Sequence, residues 1–172
     1  MGYAGGTTAE PTYRAIGDHS ETVEIDYDPD IISYVDLLEV FWQSHEPTYQ
    51  SPTRQYANIV HCHGMHQYEL ASESARRYAE EYGRPVQTEI RSSGPFYLAE
   101  DYHQKYYLRN NPRWLNAFSS KYAEDQALID STLATRLNSC LAGYCDRRSL
   151  ESELPGLGLT AEGARALLSL AR

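Results

Sequence analysis

Residues 19–44 read HSETVEIDYDPDIISYVDLLEVFWQS, and the spacing of their apolar residues changes part-way along. From Glu21 to Tyr27 the apolar residues alternate with acidic ones, which is the pattern of a strand with one buried face. From Ser33 to Ser44 they recur at i, i+4, and Ser33 with Asp36 has the spacing of a capping box, which indicates an amphipathic helix. We therefore predict a strand followed by a helix.

The rest of the chain contains further segments with the spacing of strands or of helices. Residues 56–60 and 86–90 are predicted strands, and residues 64–82 between them form a predicted helix that stops at Gly83, a residue suited to a left-handed C-cap. Helical spacing also covers residues 95–107, 124–142 and 160–171. Strands and helices that alternate, followed by helices alone, indicate an α+β fold with a helical C-terminal extension.

Composition excludes several classes of function. The net charge of −9 opposes binding to a phosphate backbone, so we expect no nucleic-acid partner. No apolar run approaches the roughly 20 residues that span a bilayer, so we expect no membrane partner. The first residues lack the basic flank and apolar stretch of a secretory signal, and three cysteines are too few for a disulfide scaffold. We expect a cytoplasmic protein.

Three blocks of sequence resemble the peptide methionine sulfoxide reductase A family. They are Gly2-Tyr3-Ala4-Gly5-Gly6 with Pro11-Thr12-Tyr13, the segment from His19 to Pro29, and Phe96 to Tyr107 with its Ala-Glu-Asp-Tyr-His-Gln run. Their order and spacing, with Phe41-Trp42 and His45 between them, carry the resemblance, which covers roughly residues 1–109. The helical tail is similar to that of an animal-type subgroup of the family.

The resemblance implies a particular architecture. We expect residues 1–109 to form a ferredoxin-like two-layer α/β sandwich core, incomplete at the N-terminus. Residues 110–172 would form a helical C-terminal extension packed on the same domain.

The resemblance also implies an activity, the reduction of the S epimer of methionine sulfoxide, free or in proteins, as protein repair under oxidative stress. A thiolate attacks sulfur while an acid protonates the oxygen, and the matching acid here is Glu21. Tyr13 and Tyr56 match two tyrosines whose hydroxyls bind the oxygen. The alternatives are that Glu21 is a solvent-exposed strand residue and that both tyrosines only fill the core. The supporting residues implied around the site are His19, Asp101 and His103.

The family's nucleophile lies in a Gly-Cys-Phe-Trp-Gly motif, and this sequence contains none. We expect Met1 to be a misplaced start, chosen inside the family's Val-Gly-Tyr-x-Gly-Gly or downstream of a stop codon read as selenocysteine. Without the strand and helix of that motif, the chain should be unstable. The alternative is a catalytically inactive member that acts as a binding or interaction protein.

The cysteines offer a route for recycling. Cys140 and Cys145 are candidate thiols that would resolve the enzyme's sulfenic acid to a disulfide, with thioredoxin, or dithiothreitol in vitro, as reductant. The alternative is a buried Cys140 and a surface Cys145 without a redox role. No bound cofactor is implied. We expect no metal at His61-Cys62-His63 either, because alternate strand residues point to opposite faces.

Overall fold

The computed structural model describes residues 1–119 and 125–171. It forms two compact units, Met1–Ala99 and Glu100–Arg172. The first combines two small sheets with two helices, and in its described part the second has helices and no strands. The α+β class with a helical C-terminal part, predicted from the order of the elements, is confirmed.

The first unit contains two separate sheets. In one sheet β1 (Gly2–Ala4) lies between β2 (Ser20–Thr22) and β5 (Phe96–Leu98), and both neighbours are antiparallel to it. In the other sheet β3 (Ile59–Cys62) pairs with β4 (Glu89–Ser92) in parallel. The strands predicted at 56–60 and 86–90 therefore exist but begin about three residues later than expected, which is the usual uncertainty of element ends.

The strand predicted from Glu21 to Tyr27 is shorter than expected. Its ladder runs from Ser20 to Thr22 and stops where Thr22 faces Gly2, the first residue of β1. Residues 23–27 follow without a ladder, although their apolar and acidic residues alternate. Periodicity predicts which side chains share a face, whereas a strand also needs a partner backbone for each of its residues.

Two helices cover the first unit's core. Helix α1 (Tyr34–Gln43) begins at the predicted capping box, in which Ser33 Oγ accepts from the Asp36 backbone and the Asp36 carboxylate accepts from the Ser33 N–H. Helix α2 (Met65–Tyr82) ends at Gly83, whose φ of 66° is the predicted left-handed cap. Trp42 of α1 is fully buried and donates from Nε1 to Ser74 Oγ of α2 at 2.9 Å. Both helix predictions are confirmed.

The second unit is built from short helices around a leucine-rich core. After a 3-10 turn at Asp101–His103, its helices are α3 (Tyr106–Arg109), α4 (Pro112–Ser119), α5 (Asp125–Ile129), α6 (Thr132–Leu141), α7 (Arg147–Glu153) and α8 (Ala161–Leu168). Leu108, Leu137, Leu150 and Leu167 are almost completely buried in this core. The last helix, predicted at 160–171, is confirmed, whereas α4 and α7 lie in the predicted helical extension but were not predicted as individual helices.

Two of the helical predictions are wrong in part. The segment predicted as helix beyond Pro95 starts as β5, because Phe96–Leu98 pairs along its length with β1. The helix predicted over 124–142 is two helices from residue 125 onwards, and residue 124 lies outside the described part of the chain. Ser131 separates them, since its side chain accepts from the Ala134 N–H and caps the start of α6.

The division of the chain at residue 109 rests on sequence resemblance, whereas the boundary at Ala99 rests on packing. The boundary at residue 109 stays a prediction of where the family-like part of the chain ends. Within the described residues, no helix is both long and apolar enough to cross a membrane.

Candidate active site

The three residues predicted to do the chemistry come from three different elements of the first unit. Glu21 is the central residue of β2, pairs in register with Tyr3 and is half-buried. Tyr13 lies in a turn closed by backbone hydrogen bonds between Thr12 and Ala15, at 3.0 and 3.3 Å. Tyr56 ends a 3-10 turn, Arg54–Tyr56, that precedes β3.

Two hydrogen bonds attach the 3-10 turn to β2. Ser20, which is 1% exposed, donates from Oγ to the Arg54 carbonyl at 2.6 Å. The next residue of the turn, Gln55, donates from Nε2 to Glu21 Oε1 at 2.8 Å. Two successive residues of β2 are thus bonded to two successive residues of the turn. These bonds hold the turn that precedes β3 against β2.

Tyr56 interacts with both other candidates. Its side chain is hydrogen-bonded to that of Tyr13. The pKa of Tyr56 is raised, first by the charge that Tyr13 carries when ionised, then by desolvation, and further by the Glu21 carboxylate and the Tyr13 hydrogen bond. Tyr13 and Tyr56 are 42% and 55% exposed, so both phenols are open to a ligand from solvent. A carboxyl and two phenols therefore lie together at an accessible surface.

The glycine loop beside this cluster is fixed by Asp18. Both carboxylate oxygens accept hydrogen bonds, from the backbone N–H groups and the hydroxyls of Thr7 and Thr8, at 2.8–3.0 Å. These donors hold the pKa of Asp18 well below its ordinary value, the Thr8 backbone having the largest effect. A side chain at Gly6 would clash, since its Cβ would lie 2.5 Å from Asp18 Oδ1.

His19 fixes the same loop from inside. It is completely buried, accepts from the Gly6 N–H at Nδ1 (3.2 Å), and places Nε2 2.8 Å from the Thr8 carbonyl. Because Nδ1 accepts, the ring proton of this arrangement is on Nε2, which donates to Thr8. The supporting residue named from the sequence therefore contacts the loop before Tyr13, and its role in the reaction stays a prediction.

The other two supporting candidates belong to the second unit. Asp101 and His103 lie in its first 3-10 turn, where His103 Nε2 is 3.9 Å from Glu100 Oε2. Their participation in the site stays a prediction.

The cysteines have little nucleophilic character where the structure places them. Cys62 is 1% exposed, and burial raises the pKa of its thiol. Cys140 and Cys145 form a disulfide across the turn at Gly143, and they are 4% and 5% exposed. The alternative of a surface Cys145 is therefore wrong. A buried pair is found instead, and its use in recycling stays a prediction.

His61, Cys62 and His63 do not converge on a common point. Cys62 is buried, whereas His63 is exposed and lies 3.8 Å from Glu24. The pKa of His61 is lowered by burial and by the nearby guanidinium groups of Arg54 and Arg91. No group of three or more ligating side chains is found in residues 1–119 and 125–171.

Sequence reasoning missed Gln55 and Ser20, the residues that join the two segments. Gln55 is adjacent to Tyr56 and Ser20 is adjacent to Glu21, so each was visible only as a neighbour of a candidate. Nothing in the sequence relates Ser20 to Arg54, or Gln55 to Glu21, because the residues of each bonded pair lie more than 30 positions apart.

Comparison with known proteins assigns the family. The family model for peptide methionine sulfoxide reductase matches residues 1–134. The chain belongs to the peptide methionine sulfoxide reductase family. The Drosophila melanogaster family member is 41% identical over 162 residues, which are 93% of this chain and 65% of the relative. The A5 member of Oryza sativa subsp. japonica is 40% identical over 84% of this chain and 59% of its own length.

Solved structures of the peptide methionine sulfoxide reductase family have the same fold. Reduced Mxr1 from Saccharomyces cerevisiae matches with a TM-score of 0.59 and 25% identity, covering 65% of this chain and 70% of its own. Methionine sulfoxide reductase A of Corynebacterium diphtheriae matches with a TM-score of 0.54 and 32% identity. The match covers 64% of this chain and 62% of that protein. The chain spans less than two thirds of the Drosophila and Oryza relatives.

Replacing His19 tests its role in holding the loop. We expect His19→Ala to lower the free energy of unfolding by about 2–4 kcal/mol, because Gly6 N–H and Thr8 C=O lose their buried partner. Urea denaturation measures the change. His63→Ala is the control, since that side chain is 61% exposed and its loss should matter little. Equal effects from the two substitutions would refute the role assigned to His19.

Replacing Tyr13 tests the contact between the candidates. We expect Tyr13→Phe to bring the pKa of Tyr56 down towards its ordinary value, because the phenolate of Tyr13 is the first cause of the increase. Glu21→Gln should lower the pKa of Tyr56 as well, because the negative Glu21 carboxylate disfavours the negative phenolate of Tyr56. NMR titration of labelled tyrosine rings measures both. Tyr82→Phe, at a 43% exposed position of the same unit that is not among the causes of the raised pKa, should leave the pKa of Tyr56 unchanged. An unchanged value in Tyr13→Phe contradicts the arrangement.

Proposed function

We propose that this chain provides the sulfoxide-binding and proton-donating part of a thiol-dependent methionine sulfoxide reductase. The substrate is the S epimer of methionine sulfoxide, free or in oxidised proteins. The observation that carries the proposal is the convergence of Glu21, Tyr13 and Tyr56 on one accessible surface.

The groups match the needs of the reaction. The sulfoxide oxygen accepts hydrogen bonds, and the hydroxyls of Tyr13 and Tyr56, now bonded to each other, are donors that a substrate can engage. Glu21 in its protonated form delivers a proton to the oxygen while a thiolate attacks sulfur. The oxygen passes to the thiol as a sulfenic acid and methionine is released, so the substrate is reduced by two electrons at the expense of the thiol.

In this proposal the attacking thiol is none of the three cysteines of this chain. Cys62 is buried with a raised pKa, and Cys140 and Cys145 are bonded to each other. We place the nucleophile outside residues 1–172.

Recycling would use the second unit. In this proposal one of the thiols of Cys140 and Cys145 attacks the sulfenic acid, which forms a mixed disulfide and releases water. The other thiol then attacks that mixed disulfide, which frees the nucleophilic cysteine and leaves the Cys140–Cys145 disulfide. Reduced thioredoxin opens this disulfide by thiol–disulfide exchange and is itself oxidised. Thioredoxin acts in a reducing compartment, so we propose repair of oxidised proteins in the cytoplasm.

A second candidate function is that of an inactive family member that binds partners or oxidised methionine without reducing it. The observation that favours it is the absence of an exposed free cysteine from the described residues. Turnover supported by a thiol from solution separates the two candidates.

Glu21 can be tested with dithiothreitol as the only thiol. We expect residues 1–172 to reduce the S epimer of methionine sulfoxide faster than the uncatalysed reaction. We expect Glu21→Gln to lower that rate by about 10²–10⁴-fold, because a general acid contributes this much. Chromatographic detection of methionine measures the rate. Glu24→Gln is the matched control, since Glu24 lies in the same segment with 45% of its side chain exposed. No turnover by the unsubstituted folded chain would favour the inactive binder.

The disulfide can be tested separately. Reduced thioredoxin should convert Cys140–Cys145 of the folded chain to two thiols, because a recycling disulfide must be open to exchange. Alkylation followed by mass spectrometry counts the thiols. The buried Cys62 should stay unmodified under the same conditions and serves as an internal control for folding. A disulfide that reacts only after denaturation has a structural role instead.

A further inference from the structure

A disulfide closes the turn between α6 and α7 of the second unit. Residues 140–145 form this turn, which we call the disulfide turn, and its ends are the bonded Cys140 and Cys145. Gly143 has a φ of 87°, in the left-handed region that glycine enters without a steric penalty. The chain can therefore reverse within the turn and bring the two cysteines together.

Both cysteines are buried, although residues next to them in the chain are exposed. Cys140 and Cys145 are 4% and 5% exposed and pack in the apolar core of the second unit. Tyr144, which precedes Cys145, is 79% exposed, and residues 146–149 that follow Cys145 are exposed as well. The surface beside the disulfide therefore includes the Tyr144 ring and the start of α7.

Hydrogen bonds to α6 fix the backbone of Tyr144. Its N–H donates to the Ser139 carbonyl at 3.0 Å, and its carbonyl accepts from Ser139 Oγ at 3.2 Å. The preceding residue, Gly143, donates from its N–H to the Cys140 carbonyl at 3.0 Å. These bonds involve no sulfur atom, so they do not depend on the disulfide. The ring of Tyr144 therefore projects from a backbone with a defined position.

A large aromatic ring that is exposed at a fixed position is suited to contact another protein. Aromatic residues are enriched at the centres of protein–protein interfaces, where a few of them supply most of the binding energy. A fixed backbone reduces the conformational entropy that is lost on binding. A protein that contacts Tyr144 also lies next to Cys145, because the two residues are adjacent. The partner expected at this place is therefore one that reacts with the disulfide.

We propose that Tyr144 is a docking contact for reduced thioredoxin. This inference rests on the proposed recycling of Cys140–Cys145 and names the surface by which the reductant is recognised. A protein is too large to enter the core of the unit, so contact with the disulfide turn holds its reactive thiol beside the two sulfur atoms. The surface of thioredoxin that fits this contact is an apolar patch around that thiol.

The exchange in this complex proceeds in two steps. A thiolate of thioredoxin bonds to one of the two sulfurs, the Cys140–Cys145 bond breaks, and the released sulfur takes up a proton. The second thiol of thioredoxin then loses its proton and attacks the mixed disulfide, whose other sulfur leaves as a thiol. Thioredoxin departs as a disulfide, and this chain has gained both electrons and both protons as a pair of thiols.

The rate at which thioredoxin reduces the oxidised chain, residues 1–172, tests the contact. We expect Tyr144→Ala to lower the second-order rate constant about tenfold, because truncating an aromatic contact residue weakens binding by roughly this much. Tyr144→Phe should keep most of the rate, since the ring is retained. Timed alkylation followed by mass spectrometry measures the thiols that appear.

Two controls separate docking from an effect on the turn itself. Dithiothreitol is too small to need the contact, so it should reduce Tyr144→Ala as fast as the unsubstituted chain. Tyr106→Ala is the matched substitution, since Tyr106 lies in the same unit but outside the disulfide turn, and is 55% exposed. Thioredoxin should reduce this variant at the unsubstituted rate.

Three outcomes would overturn the proposal. Equal slowing with thioredoxin and with dithiothreitol would mean that Tyr144 only maintains the turn. Equal thioredoxin rates for Tyr144→Ala and the unsubstituted chain would reject the contact and leave the recycling step intact. An unsubstituted disulfide that dithiothreitol reduces and thioredoxin does not would reject the contact together with the proposed recycling.

Discussion

The hydrogen bond from Ser20 to the Arg54 carbonyl is the contact on which the candidate site depends. Its donor, Ser20, is buried in β2, and its acceptor lies in the 3-10 turn that precedes β3 of the other sheet. Glu21 follows Ser20, and Gln55 and Tyr56 follow Arg54, so this contact brings the carboxyl and one phenol of the site within reach of each other. Without it, the cluster would depend on side chains at the surface, where single polar contacts contribute little.

The sequence predicted the elements whose signals are local. The capping box at Ser33 and the left-handed glycine at Gly83 are encoded within a few residues of each other, and the structure has both. The resemblance of short blocks also named candidate site residues, of which Tyr13 and Tyr56 are hydrogen-bonded to each other and Tyr56 lies near the Glu21 carboxylate. Their roles in catalysis remain proposals.

Features that depend on distant partners were not predictable in the same way. The segment after Thr22 has the alternation of a strand but lacks a ladder, because ladder length is set by the partner strand. Phe96–Leu98 has a sequence that reads as the start of a helix and forms a strand, since β1 provides an edge for it. The bond between Gln55 and Glu21 joins positions that no local pattern relates.

The Asp18 carboxylate gives the glycine loop an unusual tolerance of acid. A carboxyl whose pKa is depressed by folding contributes stability that is complete above the pKa of the unfolded chain, and that declines as the pH falls from there to the depressed value. Ordinary surface carboxylates become neutral before Asp18 does. On mild acidification the hydrogen bonds from Thr7 and Thr8 to Asp18 therefore persist, while much of the protein's negative surface charge disappears.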